Sequence, residues 1–186
     1  MLADSRSHSV HLDAIVAAGP SFCVQLQEFD SGDSETGKGF LLSDAAVARF
    51  TLACPKLIHV SFAGSRFLTD DSLLAIVENC PGTRYLSITG NDKCDGQISG
   101  ASLDTLRKSS ELGKGLVKLR LTDQKVCDTR LDKAYKALSM ARKKLAIEVG
   151  NTHERGGHVT TWLGGKEREG YQAFGGTGDF SQYGGF

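Results

Sequence analysis

Apolar and polar positions alternate along this chain in blocks that return several times. Val60-Ser61-Phe62 comes back as Leu86-Ser87-Ile88, and the same interval separates Leu119-Arg120-Leu121 from Leu145-Ala146-Ile147. Residues two apart point to one side of an extended chain, so each block predicts a short strand with one buried face. A second block reads aliphatic, small or hydroxyl, Asp or Gly, two variable residues, aliphatic. It appears as Leu42-Ser43-Asp44-Ala45-Ala46-Val47, Leu68-Thr69-Asp70-Asp71-Ser72-Leu73, Ile98-Ser99-Gly100-Ala101-Ser102-Leu103 and Val126-Cys127-Asp128-Thr129-Arg130-Leu131, in steps of nearly equal length. Ser43 with Asp44, and Thr69 with Asp70, are predicted helix N-caps, since their oxygens can accept the first unbonded backbone N–H groups. Helical spacing follows at Leu73, Ile76 and Val77, at Leu103 and Leu106, and at Leu131, Tyr135 and Leu138. A strand–turn–helix unit at this period predicts an α/β solenoid of about four units around a parallel inner sheet.

The pattern also sets boundaries. Residues 8–20 read as the helical half of an incomplete first unit, closed by Gly19-Pro20. The strand of the next unit falls within Phe22-Cys23-Val24-Gln25-Leu26, with its register open, and a polar, glycine-rich loop runs from Asp30 to Gly39. The last predicted strand is Leu145 to Val149. The repeat domain is thus 8–150, and 151–186 is predicted to be a disordered Gly/aromatic tail, with ten glycines between Gly156 and Phe186. Trp162, Tyr171, Phe174, Phe180, Tyr183 and Phe186 could act there as weak stickers for a partner, or the segment could be a flexible end without a role. An uncapped solenoid end exposes core, so the isolated domain is expected to be marginally stable unless other segments cover its ends.

Composition narrows the function classes. Lys plus Arg number 22 against 22 Asp plus Glu, and a neutral balance argues against a dedicated nucleic-acid binder while leaving room for local basic patches. The five cysteines are odd in number and form no CxxC pair, so they read as small buried hydrophobes rather than a metal site or disulfide framework. No apolar run reaches membrane-spanning length, which with the free cysteines suggests a cytoplasmic or nuclear setting. Gly32-Asp33-Ser34-Glu35-Thr36-Gly37-Lys38-Gly39 nearly matches a phosphate-binding loop but places glycine where the magnesium-binding hydroxyl belongs, and Asp33 and Glu35 would repel phosphate. His153 and His158 are five apart with Gly156-Gly157 between them, unlike two histidines on one helix face. No catalytic residue, cofactor or metal ligand is predicted, and the chain reads as a non-enzyme.

Cys54-Pro55-x-Leu57-x-x-Val60-x-Phe62-x-Gly64, followed by Leu68-Thr69-Asp70 and the next Cys80-Pro81, resembles the cysteine-containing leucine-rich repeat of F-box/leucine-rich-repeat proteins, fungal ones in particular. Residues 54–80 match well and 21–53 and 81–149 more loosely. Asn91 fits the repeat's asparagine position, while Ser65 and Gln124 depart from it. The resemblance implies a leucine-rich-repeat solenoid, a right-handed β-α superhelix forming a ribonuclease-inhibitor-like arc, that recognises proteins as substrate receptor of an SCF-type ubiquitin ligase. The roughly twenty residues ahead of the first predicted strand leave no room for the family's F-box, so direct docking to the ligase adaptor is not expected.

On such an arc the partner meets the variable residues between the strand aliphatics. The predicted rows are His59, Tyr85, Lys118 and Lys144; Ser61, Ser87, Arg120 and Ala146; and Ile58, Arg84, Val117 and Lys143. They become more basic toward the C-terminus and predict a seat for an acidic protein segment, with His59, Arg84, Tyr85, Lys118, Arg120 and Lys144 as contacts. The alternative is a nucleic-acid-associated protein using the basic rows and the glycine-rich tail.

Overall fold

A computed structural model describes residues 10–31, 41–91, 93–125, 129–152 and 158–171. The phosphate-loop-like segment, Cys127, His153 and everything after Tyr171 lie outside the described residues, as do the candidate stickers from Phe174 onward.

The fold is mixed α/β with one seven-stranded sheet, its strands in chain order. Strands β1 (Glu28–Asp30), β2 (His59–Phe62), β3 (Tyr85–Ile88), β4 (Lys118–Thr122) and β5 (Ala146–Asn151) pair in parallel. Strands β6 (His158–Leu163) and β7 (Lys166–Tyr171) continue the sheet antiparallel. Helices α3 (Asp44–Ala53), α4 (Asp70–Asn79), α5 (Ala101–Lys108) and α6 (Thr129–Ala141) alternate with the parallel strands; α1 (Val10–Ala17) packs against α3 ahead of the short α2 (Pro20–Cys23). The alternation dictates this layout. Val60 and Phe62, Leu86 and Ile88, Leu119 and Leu121, and Ile147 and Val149 point to one side and form a single core with Leu12, Phe50, Leu73, Ile76, Leu103, Leu106 and Leu138 of the helices. Fully burying each large side chain contributes about 1.5–3 kcal/mol. The described helices α3 to α6 therefore share one face of the sheet, and the intervening strand residues form the other face.

Adjacent units are tied at their helix N-termini. Ser43 and Thr69 are caps, as predicted, accepting from the backbone of Ala46 and Asp71. Asp44 and Asp70 do something else: each reaches into the next unit. Asp44 accepts the Thr69 N–H at 2.9 Å and hydroxyl at 2.8 Å, and the Ser72 hydroxyl. Asp70 accepts the N–H and hydroxyl of Ser99 at 2.9 and 2.7 Å and those of Ser102 at 2.8 and 2.5 Å. Gly100 holds the corresponding place in the third unit and has no carboxylate to offer. A thiol column runs alongside. Cys80 donates to the carbonyls of Cys54 and Thr51, and Cys23 to that of Ile15.

Three expectations are corrected. The first strand is Glu28–Asp30, not within Phe22–Leu26, because Pro20 starts a helical turn that takes up Phe22 and Cys23. Phe29 anchors the strand, its ring 4.9 Å from that of Phe50 and 5.4 Å from that of Phe62. Second, β5 pairs two residues later than the sequence alignment placed it: Leu119 faces Ile147, not Leu145. Third, 158–171 is a hairpin rather than disordered tail. Gly164 and Gly165 both have positive φ, 58° and 75°, as a two-residue type I′ turn requires. Trp162 is buried with its ring 5.6 Å from Tyr135, so this aromatic is part of the core and not a sticker. The hairpin covers the edge that β5 would otherwise expose.

Candidate partner-binding face

The register assembles the open face. One row runs Glu28, His59, Tyr85, Lys118, Ala146 and the next runs Asp30, Ser61, Ser87, Arg120, Glu148, continuing through Thr161 to Arg168. Between them lies a shallow depression lined by His59, Tyr85, Leu86, Ser87, Lys118 and Arg120. The His59 and Tyr85 rings stand 5.9 Å apart at 42°. Lys118 is 2.7 Å and Arg120 3.9 Å from the Glu148 carboxylate. These three side chains are only 17, 19 and 15% exposed, so solvent screens their attraction less than it would on an open surface.

Of the predicted contacts, the structure brings His59, Tyr85, Lys118 and Arg120 together. Lys144 is displaced: it sits in the turn before β5, and Ala146 takes its place beside Lys118. The same two-residue shift removes Lys143 from its row. Arg84 lies exposed just ahead of β3, on the pleat parity of the buried Leu86 rather than that of Tyr85. The basic gradient is corrected with them. Glu148 enters the face directly opposite Arg120 in register, and Glu28 and Asp30 stand at the other end. Sequence reasoning missed all three carboxylates. The signal for Glu148 was Ile147, which keeps the apolar parity of Leu119 as well as Leu145 does; that for Glu28 and Asp30 was the lone aromatic Phe29 between two acids.

The rest of the scaffold contributes rigidity. Burial, reinforced by the neighbouring Cys23 thiol, pushes the Cys54 thiol up to about 12, and burial pushes Cys80 up to about 11, so both stay protonated and neither is a nucleophile at neutral pH. Gln124 ties its own loop to the preceding unit. Its amide donates to the carbonyls of Ile88 and Thr122 and accepts from the Ile98 N–H, all buried. Among the described residues no three His, Cys, Asp or Glu side chains converge as metal ligands, and no helix is long and apolar enough to cross a membrane.

No family model matches the sequence, and no curated protein matches it. Among solved structures, the chain is similar to a tropomodulin C-terminal domain from Caenorhabditis elegans, at 14% identity and a TM-score of 0.46, covering 82% of this chain and 85% of that one.

Proposed function

We propose that the chain is a leucine-rich-repeat solenoid that works as a non-catalytic protein-binding module, receiving its partner on the open face of the sheet. The observation that carries this reading is the register of the two rows. It sets an aromatic pair, two hydroxyls and charges of both signs side by side on the face opposite the described helices, held by strands whose other face is a packed core. Rigid aromatic and arginine anchors are what protein interfaces use most. The depression is too shallow to enclose a small substrate, which argues for a surface and against an active site. Carboxylates flank the cations, with Glu148 beside them and Glu28 and Asp30 across the sheet. A phosphate backbone would meet repulsion on both sides, which makes the nucleic-acid reading the weaker one. The narrower role of substrate receptor for a ubiquitin ligase rests on the repeat's sequence pattern alone.

The test is affinity purification with quantitative mass spectrometry, comparing the wild type, the double variant His59→Ala/Tyr85→Ala, and Leu52→Asp as a control at an exposed position of α3. Proteins lost with the face variant and kept with the control are the expected result, at about tenfold depletion for truncation of two anchors. Equal recovery from all three would remove the face from the function. Salt-sensitive binding of a generic oligonucleotide by the wild type would favour the nucleic-acid alternative.

A further inference from the structure

We infer that the chain associates with itself head to tail, β7 of one copy adding to β1 of the next so that the sheet runs on from molecule to molecule. This goes beyond the partner-binding reading and uses the ends of the sheet rather than its face. Among the described residues, β1 and β7 are the outer strands. Which of their backbone groups are free follows from the pairing inside the sheet. The Gln27 carbonyl accepts from the His59 N–H at 3.0 Å, and the Ser31 N–H donates to the Ser61 carbonyl at 3.0 Å. By alternation, the N–H and carbonyl of Glu28 point away from β2. At the other end, the Ala146 N–H donates to the Val117 carbonyl at 2.9 Å, so Ala146 and Glu148 bond toward β4 while Ile147 and Val149 bond toward β6. Carried through the pairing of β5, β6 and β7, the same alternation turns the backbone of Lys166 and Arg168 toward β6 and leaves that of Glu167 and Glu169 facing outward.

Backbone and side chains then agree on the register. Two antiparallel steps bring β7 back to the direction of β1, so the added pair is parallel. In a parallel pair, a residue that bonds across lies opposite one whose backbone turns away. Glu28 therefore falls opposite Lys166, Arg168 or Gly170. Opposite Arg168, its N–H donates to the Glu167 carbonyl and its carbonyl accepts from the Glu169 N–H. Glu28 shares a row with His59, and Arg168 shares one with Glu148 and Thr161, so carboxylate and guanidinium meet on the face opposite the helices. Glu28, Lys166 and Arg168 are all exposed, and none of the three is in an ion pair within one copy. Like edges reject one another. Residues opposite each other in a two-fold antiparallel pair share a face, so β7 on β7 sets Lys166 and Arg168 against cations, and β1 on β1, centred on Glu28, sets carboxylate against carboxylate. The terminal layers also leave apolar side chains uncovered. Phe22 and Val24 are 49 and 36% exposed in the first layer, and Met140, beside the hairpin turn, is 61% exposed in the last. Because the contact joins two different surfaces, it propagates rather than closing at a dimer.

Sedimentation velocity of the full chain at low salt, from about 10 µM to about 1 mM, is the test. A ladder of species that lengthens with concentration and shortens with added salt is expected. Glu28→Lys, and separately Lys166→Glu with Arg168→Glu, should each move assembly to about tenfold higher concentration, because opposite charges across the new strand pair become like charges. Mixed in equal amounts, these two variants should assemble again, since each then offers the other an edge of opposite charge; a folding defect in either would not be repaired by mixing. Leu52→Asp, at an exposed position of α3, should behave as the wild type. Glu167→Pro removes only an outward-facing N–H and should block assembly while the hairpin stays folded, which separates strand addition from simple charge attraction. A chain that stays monomeric at every concentration, whatever else holds its edges, overturns the inference. So does a dimer that grows no further, a mixture that does not recover, or assembly undiminished by Glu167→Pro.

Discussion

Among the described residues, the units up to Gly100 are joined by carboxylates that reach forward into the next helix N-terminus, with a thiol column beside them; beyond it, the joining groups are an arginine, an amide and a buried aspartate. In the first half, Asp44 holds Thr69 and Ser72, and Asp70 holds Ser99 and Ser102. In the second, Arg142 donates to the carbonyls of Leu106, Ser109, Leu112 and Gly113 at 2.6–2.9 Å, closing the end of α5 and its following loop. Asp123 accepts the N–H and hydroxyl of Thr152, both at 2.6 Å, from a left-handed backbone with φ of 56°. Among the described residues, the forward carboxylate ties at helix N-termini thus belong to the first half, where Cys80 also ties the ends of α3 and α4, and the second half is fastened at a helix C-terminus and loops. Topology comes from the apolar alternation, which is common to both halves. The fastening is a local matter, and any arrangement that satisfies the exposed backbone groups serves.

That comparison can be broken most severely at Arg142. Arg142→Ala should cost about 3 kcal/mol of unfolding free energy, since four carbonyls lose a charged donor together, and Arg142→Lys should recover only part because a point charge cannot fork to all of them. Urea melts read this directly. A loss below about 1 kcal/mol would mean that solvent replaces the guanidinium.

Gly100 sharpens the same comparison. Gly100→Asp would put back the carboxylate that the sequence pattern lacks, yet it should destabilise by about 2 kcal/mol rather than stabilise. Its φ is 96°, and a Cβ there would stand 3.0 Å from the Cβ of Ala134 and 3.1 Å from the Cα of Leu131. Thermal melts decide the sign, and a rise in Tm would show that the forward carboxylate tie is worth more than the strain.

The smallest effect expected is at Asp70. Burial works to raise its carboxyl, but the hydrogen bonds from Ser102 and Ser99 outweigh it and hold the group below its ordinary value. A carboxyl depressed in the folded state stabilises above its unfolded pKa of about 3.9, and that contribution disappears as pH falls through the lower folded value. Asp70→Asn should therefore cost about 1 kcal/mol near pH 7, with the difference from wild type shrinking as pH falls below the unfolded carboxyl's value. Hydrogen exchange should show acid loosening the α4–α5 seam before the α5–α6 seam. Uniform loosening of both would erase the distinction drawn between the halves.

The strand core was legible in the sequence because a parallel sheet with one buried face leaves an aliphatic at every second position, and Val60, Leu86 and Leu119 keep to it. The row partners were less so. Leu145, Ile147 and Val149 are all aliphatic, so sliding by two keeps the buried face and changes only the neighbours, which exchanged Lys144 for Ala146 and hid Glu148. The first strand has one apolar residue, too few to show a period. The hairpin was masked by its composition: Gly164-Gly165 is a turn signal, but it sits among so many glycines that it reads as part of a flexible run. The forward reach of Asp44 and Asp70 was not legible at all, because their donors lie a whole unit further along the chain and a capping role at their own helix explains the residue type equally well.

The unequal unit lengths have a practical corollary. The chain takes a longer path from Leu86 to Leu119 than from Val60 to Leu86, yet both pairs face one another directly. The surplus is absorbed by the turn that bridges Asn91 to Cys94 and by the loop after α5, on the flanks of the array. Units of different length therefore present the same grid to a visiting molecule, because the extra residues are folded away beside it rather than within the strands.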